Sequence, residues 1–380
     1  MAQPYPNREP AKKIFYIDNL KILLTMLVVL HHTFITYGAS GGWYYSQKTA
    51  KMGALIPMTM FVSINQAFFM GFFFFLAAYF IRPSFERKGS NRFVADRLLR
   101  LGVPLIFYSF ILSPLLSYLV YYWGYGHHIN YWQYLGGFHP WIDFGVLWFV
   151  AALLIFTLAY VVCRMTIKNY ESIPMSAPSS GLIILFAAIV GVISFSVRNL
   201  FPVGWVLKPL GFQPGHFSQY IALYMMGLLA SKNNWLGTLS GKTGKQMGLL
   251  AILLILFLPV FYIIKLNLDM PLEWYSGGFH WQSLLYAVWE QVTGFSIITA
   301  LLVFGRETWN RSTPLLGRLS RSTFAVYIFH PLVVITLTLA VRNWNVDPVI
   351  KLLIVAPLAV IGSFLLGSLV LKIPGVKRVI

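Results

Sequence analysis

The side chains able to do chemistry lie where an apolar sequence would ordinarily hold none. The first long apolar stretch, Ile14 to Tyr37, carries Asp18, Lys21, Thr25, His31 and His32. At about 100° per residue, Asp18, Lys21, Thr25 and His32 fall within roughly 60° of one another on a helix, and His31 points away from them. A histidine titrates near neutrality and can take a proton from a hydroxyl. His32 therefore reads as a candidate general base, with His31 equally eligible by composition. The plain alternative is an interfacial histidine bonded to a neighbour.

A second group lies in NRFVADRLLRLGVP, residues 91–104. Arg97 and Arg100 share a helix face, with Arg92 just before them and Pro104 one turn beyond. Guanidinium groups grip phosphates through paired hydrogen bonds. The alternative is charge anchoring at a membrane edge, with snorkelling side chains. A third group is Glu290 in LLYAVWEQVTGF and His330 in FAVYIFHPLVV. Each sits about nine residues inside an apolar run, which puts both near mid-membrane and able to face one another. They could act in chemistry or form a polar pair that fixes helix packing. Pro331 should loosen the helix beside His330.

No metal site is expected. His127–His128 lacks further ligands, and Cys163, the only cysteine, excludes an intrachain disulfide and a cysteine cluster. Walker, dinucleotide-binding, HExxH and GxSxG motifs are missing.

Apolar elements must position these groups. Only 11% of the 380 residues are charged and 58% are hydrophobic, against about 25% charged in soluble domains. The fold class is an all-α polytopic membrane protein. About ten helices are predicted near 14–36, 56–81, 101–123, 144–163, 181–200, 216–231, 247–266, 281–304, 322–341 and 349–371, each able to cross roughly 30 Å of hydrocarbon. The sixth is short. Asp18 and Lys21 interrupt the first run and no cleavage site follows, so it reads as a retained helix rather than a signal peptide. Residues 1–12 and 373–380 read as cytoplasmic tails flanking one transmembrane unit, 13–372.

The formal charge of +18 would suggest nucleic acid in a soluble protein, but here basic residues mark cytoplasmic loops. The tails and alternate loops hold 21 lysines and arginines; the opposite loops hold 6, namely Lys48, Lys51, Arg198, Lys208, Lys265 and Arg342. This bias places both termini in the cytoplasm and His32 towards the outside, roughly 28 Å beyond Lys13. The outer loops 124–143 and 267–281 are rich in Gly, His, Tyr and Trp, which suits sugar rings as well as an interfacial aromatic belt.

Asp18-x-Leu20-Lys21 followed by an apolar run to His32 resembles the first helix of acyltransferase family 3. RFVADRLLRLGVP resembles the family's arginine motif, GVLWFVAALL its LWF helix with Trp148, and STFAVYIFHPLVV its late Y-x-I-x-H-P helix with Tyr327 and His330. Spacing from the aspartate selects His32. Lys21 stands where the family usually has arginine; it keeps the charge but loses the bidentate fork. The loop and helix pattern is most similar to the glucan-modifying branch, which includes a glucan succinyltransferase.

The resemblance implies an enzyme of a bacterial cell membrane. It would move an acetyl or succinyl group from cytoplasmic acyl-CoA to a hydroxyl of an extracytoplasmic carbohydrate. His32 would be the base, and Arg92, Arg97, Arg100 and Lys21 would hold coenzyme A. Asp18 would fix Lys21 or an arginine, while Glu290, His330, Tyr327 and Trp148 would line or orient the site. No metal is implied. The alternative is a proton-coupled transporter or flippase using His32, Glu290 and His330 as a relay, although no broken half-helices or inverted repeats are visible. A non-catalytic scaffold fits the buried ionisable residues least.

Overall fold

A computed structural model describes residues 14–167 and 174–380. The expected tail over 1–12, Lys13 and Lys168 lie outside the described residues. Ten long helices follow in order: α1 (Phe15–Tyr37), α2 (Met52–Lys88), α3 (Ser90–Gly124), α4 (Gly145–Thr166) and α5 (Ser180–Arg198), then α6 (Pro214–Lys232), α7 (Gly241–Asn267), α8 (Trp281–Thr308), α9 (Pro314–Ala340) and α10 (Pro348–Val370). Among the described residues there is no strand beyond a single bridge, Leu207–Phe212. The chain is an all-α polytopic membrane protein.

Nine of these helices are long and apolar enough to cross a membrane. The exception is α6, expected over 216–231. Its 19 residues suffice in length, but His216, Ser218, Gln219 and Tyr220 make it polar. It tolerates them because α2 lies along it in the same direction. Gln219 Nε2 donates to the Ala67 carbonyl at 2.7 Å and Gln66 Nε2 to the Tyr220 hydroxyl at 3.0 Å. Further along, Gly227 packs against Phe75 and Ala78. A helix walled by protein can satisfy polar groups that lipid would leave bare. By contrast, α7 presents exposed Leu253, Leu256, Phe257 and Val260.

α9 runs parallel to α1, so Lys21 and Thr25 come level with Thr323 and Tyr327, and His32 with His330. α8 runs the opposite way and sets Gly305 against Tyr16 and Leu20. Val379 lines the same cavity as Lys21, Arg97 and Arg100, so both ends of the described chain lie at one end of the bundle, here termed the basic end.

The segment 90–100 is part of α3, not a loop before it as the span expected from 101 implied. Asp96 sustains it: Arg100 Nε approaches Oδ1 at 3.3 Å, one helical turn on, and Lys88 Nζ approaches Oδ2 at 2.9 Å. Three π-type turns, Leu98–Gly102, Tyr108–Leu112 and Val120–Gly124, interrupt α3. Pro104 and Pro114 follow the first two. A proline has no N–H to give the preceding turn, so the ladder there widens readily.

Candidate active site

A cavity of about 380 Å³ opens at the basic end between α1, α2, α3, α4 and α9. Lys21, Arg97 and Arg100 stand around it with Thr25, Thr157, Thr323 and Tyr327, and Phe73, Phe80, Phe149 and Leu153 supply apolar wall. Asp18 lies 3.9 Å from Lys21 Nζ, and that ammonium also sits 5.1 Å above the Phe80 ring. Arg97 is held beside Asp96 at 3.6 Å, Ser84 at 3.5 Å and the face of Phe93. Its Nε is buried and meets no hydrogen-bond partner among the described residues. Four cations, Lys21, Lys88, Arg97 and Arg100, thus gather around two carboxylates, Asp18 and Asp96. That excess suits an anionic ligand. Arg92 does not join them: it is exposed and lies about 140° around the helix from Arg97.

The cavity reaches inward to Thr25 and Tyr327. From Thr25, His32 is two helical turns further, roughly 10 Å. The His32 ring packs beside two others, which also approach one another at 6.2 Å. Trp43 stacks on it at 4.2 Å and 22°, and His330 at 5.3 Å and 20°. His31 meets it edge-on at 5.5 Å and instead faces Phe69 on α2 at 4.8 Å. The two histidines thus face different neighbours, as the 100° step between them demands. His32 keeps some exposure, whereas His31 is buried.

Pro331 explains the state of His330. In an unbroken helix the Tyr327 carbonyl would accept the N–H of residue 331, and proline has none. His330 Nδ1 takes that place and donates to the Tyr327 carbonyl at 2.9 Å. The proton is thereby assigned to Nδ1, which leaves a lone pair on Nε2. Nε2 is buried and has no partner among the described residues. The helix runs on through Pro331 from Pro314 to Ala340. The expected loosening is therefore a single exchanged hydrogen bond.

Beside this stack the Tyr44 and Tyr108 hydroxyls meet at 2.6 Å, and the Tyr327 hydroxyl donates to the Val146 carbonyl. Asp143 ties this wall together. Its carboxylate accepts from Ser113 Oγ at 3.0 Å and from the Gly145 N–H at 2.9 Å, and its carbonyl accepts from Ser109 Oγ.

Glu290 lies elsewhere. Its carboxylate accepts from Arg198 and from Gln291 Nε2, and lies 3.3 Å from His216 Nδ1. Arg198, expected in an outer loop, is the last residue of α5 and is fully buried, its Nε donating to the Gly215 carbonyl at 3.1 Å. The expected meeting of Glu290 with His330 is replaced by two separate sites, because depth along a helix does not set which way a side chain faces. Trp148 also turns from the cavity, towards Tyr220 at 5.4 Å, and its neighbour Phe149 lines the wall instead. In the outer loops, Tyr121 stacks on His127 and Trp274 on His280, while Trp132 and Phe279 are bare. No group of three or more His, Cys, Asp or Glu able to hold a metal occurs among the described residues.

The sequence reading missed Trp43, Tyr108, Asp143, Arg198 and His216. Asp96 carried a signal, its four-residue spacing to Arg100. Arg198 carried only its place at the end of an apolar run, which many anchoring arginines share.

The model of a family described as an acyltransferase domain matches residues 14–368. No match is found among curated proteins or among solved structures.

Proposed function

The chain belongs to this acyltransferase family and is an acyl-transferring membrane enzyme; from that premise we propose that it carries an acyl group from cytoplasmic acyl-CoA to a hydroxyl of an extracytoplasmic carbohydrate. The observation that supports this most is a line of neighbouring residues from that cavity to His32. A cavity with three cations around it ends on Tyr327, whose carbonyl orients His330, and His330 stacks on His32. The excess of basic residues on alternate loops supports a cytoplasmic basic end. Coenzyme A phosphates dock at Arg97, Arg100 and Lys21, and the thioester arm follows the apolar wall towards His32.

At His32 the imidazole takes the proton of the acceptor hydroxyl. The hydroxyl oxygen forms a bond to the thioester carbonyl, and the carbon–sulfur bond breaks as the tetrahedral intermediate collapses. The departing thiolate takes the proton back from the imidazolium, so an ester and free coenzyme A leave and His32 is restored. Lys21 acts as a point charge on phosphate. Glu290, held by Arg198, serves the fold rather than a relay with His32.

The test is release of coenzyme A thiol by purified protein in nanodiscs. It uses acetyl-CoA or succinyl-CoA, with and without a periplasmic glucan preparation, for wild type and His32→Ala. Release that needs both acceptor and His32 is expected, and the preferred thioester names the donor. Full release by His32→Ala removes the base assignment. A glycan flux in liposomes without thiol release would favour the transporter alternative.

A further inference from the structure

Trp43 stands on the connection between α1 and α2, which folds back over the end of α1. Its indole lies face-on to His32 at 4.2 Å and 22°, the closest ring to that imidazole. Two anchors hold the connection. On one side Gln47 donates its N–H to the Thr36 carbonyl at 2.9 Å and its Nε2 to the Arg342 carbonyl at 3.0 Å. Buried Lys351 donates to Gln47 Oε1 at 3.1 Å and to the same Arg342 carbonyl at 3.0 Å. On the other side Tyr44, next to Trp43, bonds Tyr108 of α3 at 2.6 Å. This second anchor tolerates no bulk. A Cβ on Gly145 would stand 2.6 Å from both hydroxyl oxygens, and Gly145 has φ +43°.

The other groups facing His32 are His31, edge-on from the same helix, and His330 from α9. Among the described residues no carboxylate lies within ion-pair distance of His32. An imidazolium formed there has no anion to meet, and the electron-rich indole face is the surface that can take its charge. We propose that Trp43 is a positioning residue for His32: its face stabilises the imidazolium formed during transfer, and the Tyr44–Tyr108 bond holds it in place. This inference rests on the reading of His32 as the base.

The experiment compares kcat, acyl-CoA Kd and acceptor KM for Trp43→Phe, Trp43→Leu, Tyr108→Phe and Gly145→Ala, beside His32→Ala, all in nanodiscs. Trp43→Leu is expected to lower kcat by roughly tenfold with acyl-CoA Kd unchanged, and Trp43→Phe to restore most of it. Tyr108→Phe and Gly145→Ala, which touch no reacting group, should reproduce part of that loss and add little in a Trp43→Leu background. Should Gly145→Ala fail to fold, Tyr108→Phe carries this arm alone. Wild-type kcat in Trp43→Leu, or a Phe variant as slow as the Leu variant, overturns the proposal. So does full additivity of Tyr108→Phe with Trp43→Leu. An inactive His32→Ala beside a fully active Trp43→Leu sinks only this inference; an active His32→Ala sinks the base assignment beneath it.

Discussion

Two of the clusters that join arginine to carboxylate are opposites. Arg198 and Glu290 are 0% and 1% exposed, with His216 at 4%. One cation meets one anion, and further contacts go to the Gly215 carbonyl, His216 and Gln291. Lys21, Arg97 and Arg100 instead stand at a cavity mouth, with Asp18 and Asp96 beside them and Lys88 also on Asp96. Charge balance, not residue type, separates the two. A closed pair spends its electrostatics inward and ties α5, α6 and α8 together. An open cluster with cations in excess keeps its field for a ligand.

The largest effect should come from breaking the closed pair. Glu290→Ala leaves Arg198 charged and buried without its anion, at a cost of about 3–5 kcal/mol. It should appear as a sharp fall in Tm in detergent, whatever the donor concentration. The double variant Arg198→Met with Glu290→Leu should recover much of it, as buried pairs replaced by apolar residues often do. A double variant as unstable as Glu290→Ala would mean that the pair does more than satisfy itself.

The open cluster should behave in reverse. Arg97→Ala or Arg100→Ala removes a charge-assisted contact, about 1.5–3 kcal/mol, and weakens acyl-CoA binding by roughly ten- to a hundredfold while Tm holds. Equilibrium binding at rising salt sharpens the contrast, because screening reaches an open mouth and not a buried pair. Donor affinity should fall with salt and the Tm contribution of Arg198–Glu290 should not. An unchanged acyl-CoA Kd in both arginine variants would place the donor elsewhere.

A smaller effect is expected at Pro331. Pro331→Ala returns an N–H that competes for the Tyr327 carbonyl. Transfer should slow severalfold with donor Kd unchanged, and unchanged kcat would show that the histidine tautomer does not matter. The smallest effect belongs to Asp347, outside the spans at the start of α10. The Val349 N–H, then Lys51 at 3.0 Å, hold its carboxyl below the ordinary carboxylate value. A depressed value contributes stability above the ordinary pKa, lost as pH falls through the folded value. Acidification below about pH 4 should therefore lower Tm slightly more in wild type than in Asp347→Asn.

Much of this contrast is legible in the chain. Asp18, Lys21, Thr25 and His32 share a face because helical rotation is local arithmetic, and Arg97 and Arg100 follow the same rule. Rotation relative to other helices is not local. Glu290 and His330 have similar depths yet face different neighbours, and Arg198 reads as a loop anchor until α6 and α8 close over it. Trp43 is the least legible, since its position depends on Tyr44 meeting a hydroxyl 64 residues away. α6, expected over 216–231, forms there but is too polar to count as an apolar span, because protein, not lipid, is its solvent along much of its length.

The exchanged hydrogen bond at Tyr327 makes His330 and Pro331 a single structural unit. A histidine transplanted alone to the same depth of another helix could pass its proton from one nitrogen to the other and receive either a donor or an acceptor. Here the neighbour's missing N–H removes that choice, and Nε2 can welcome only a group that brings a proton. The orientation of the His330 ring is thus set by a backbone atom that proline lacks, and a comparison restricted to side chains would overlook it.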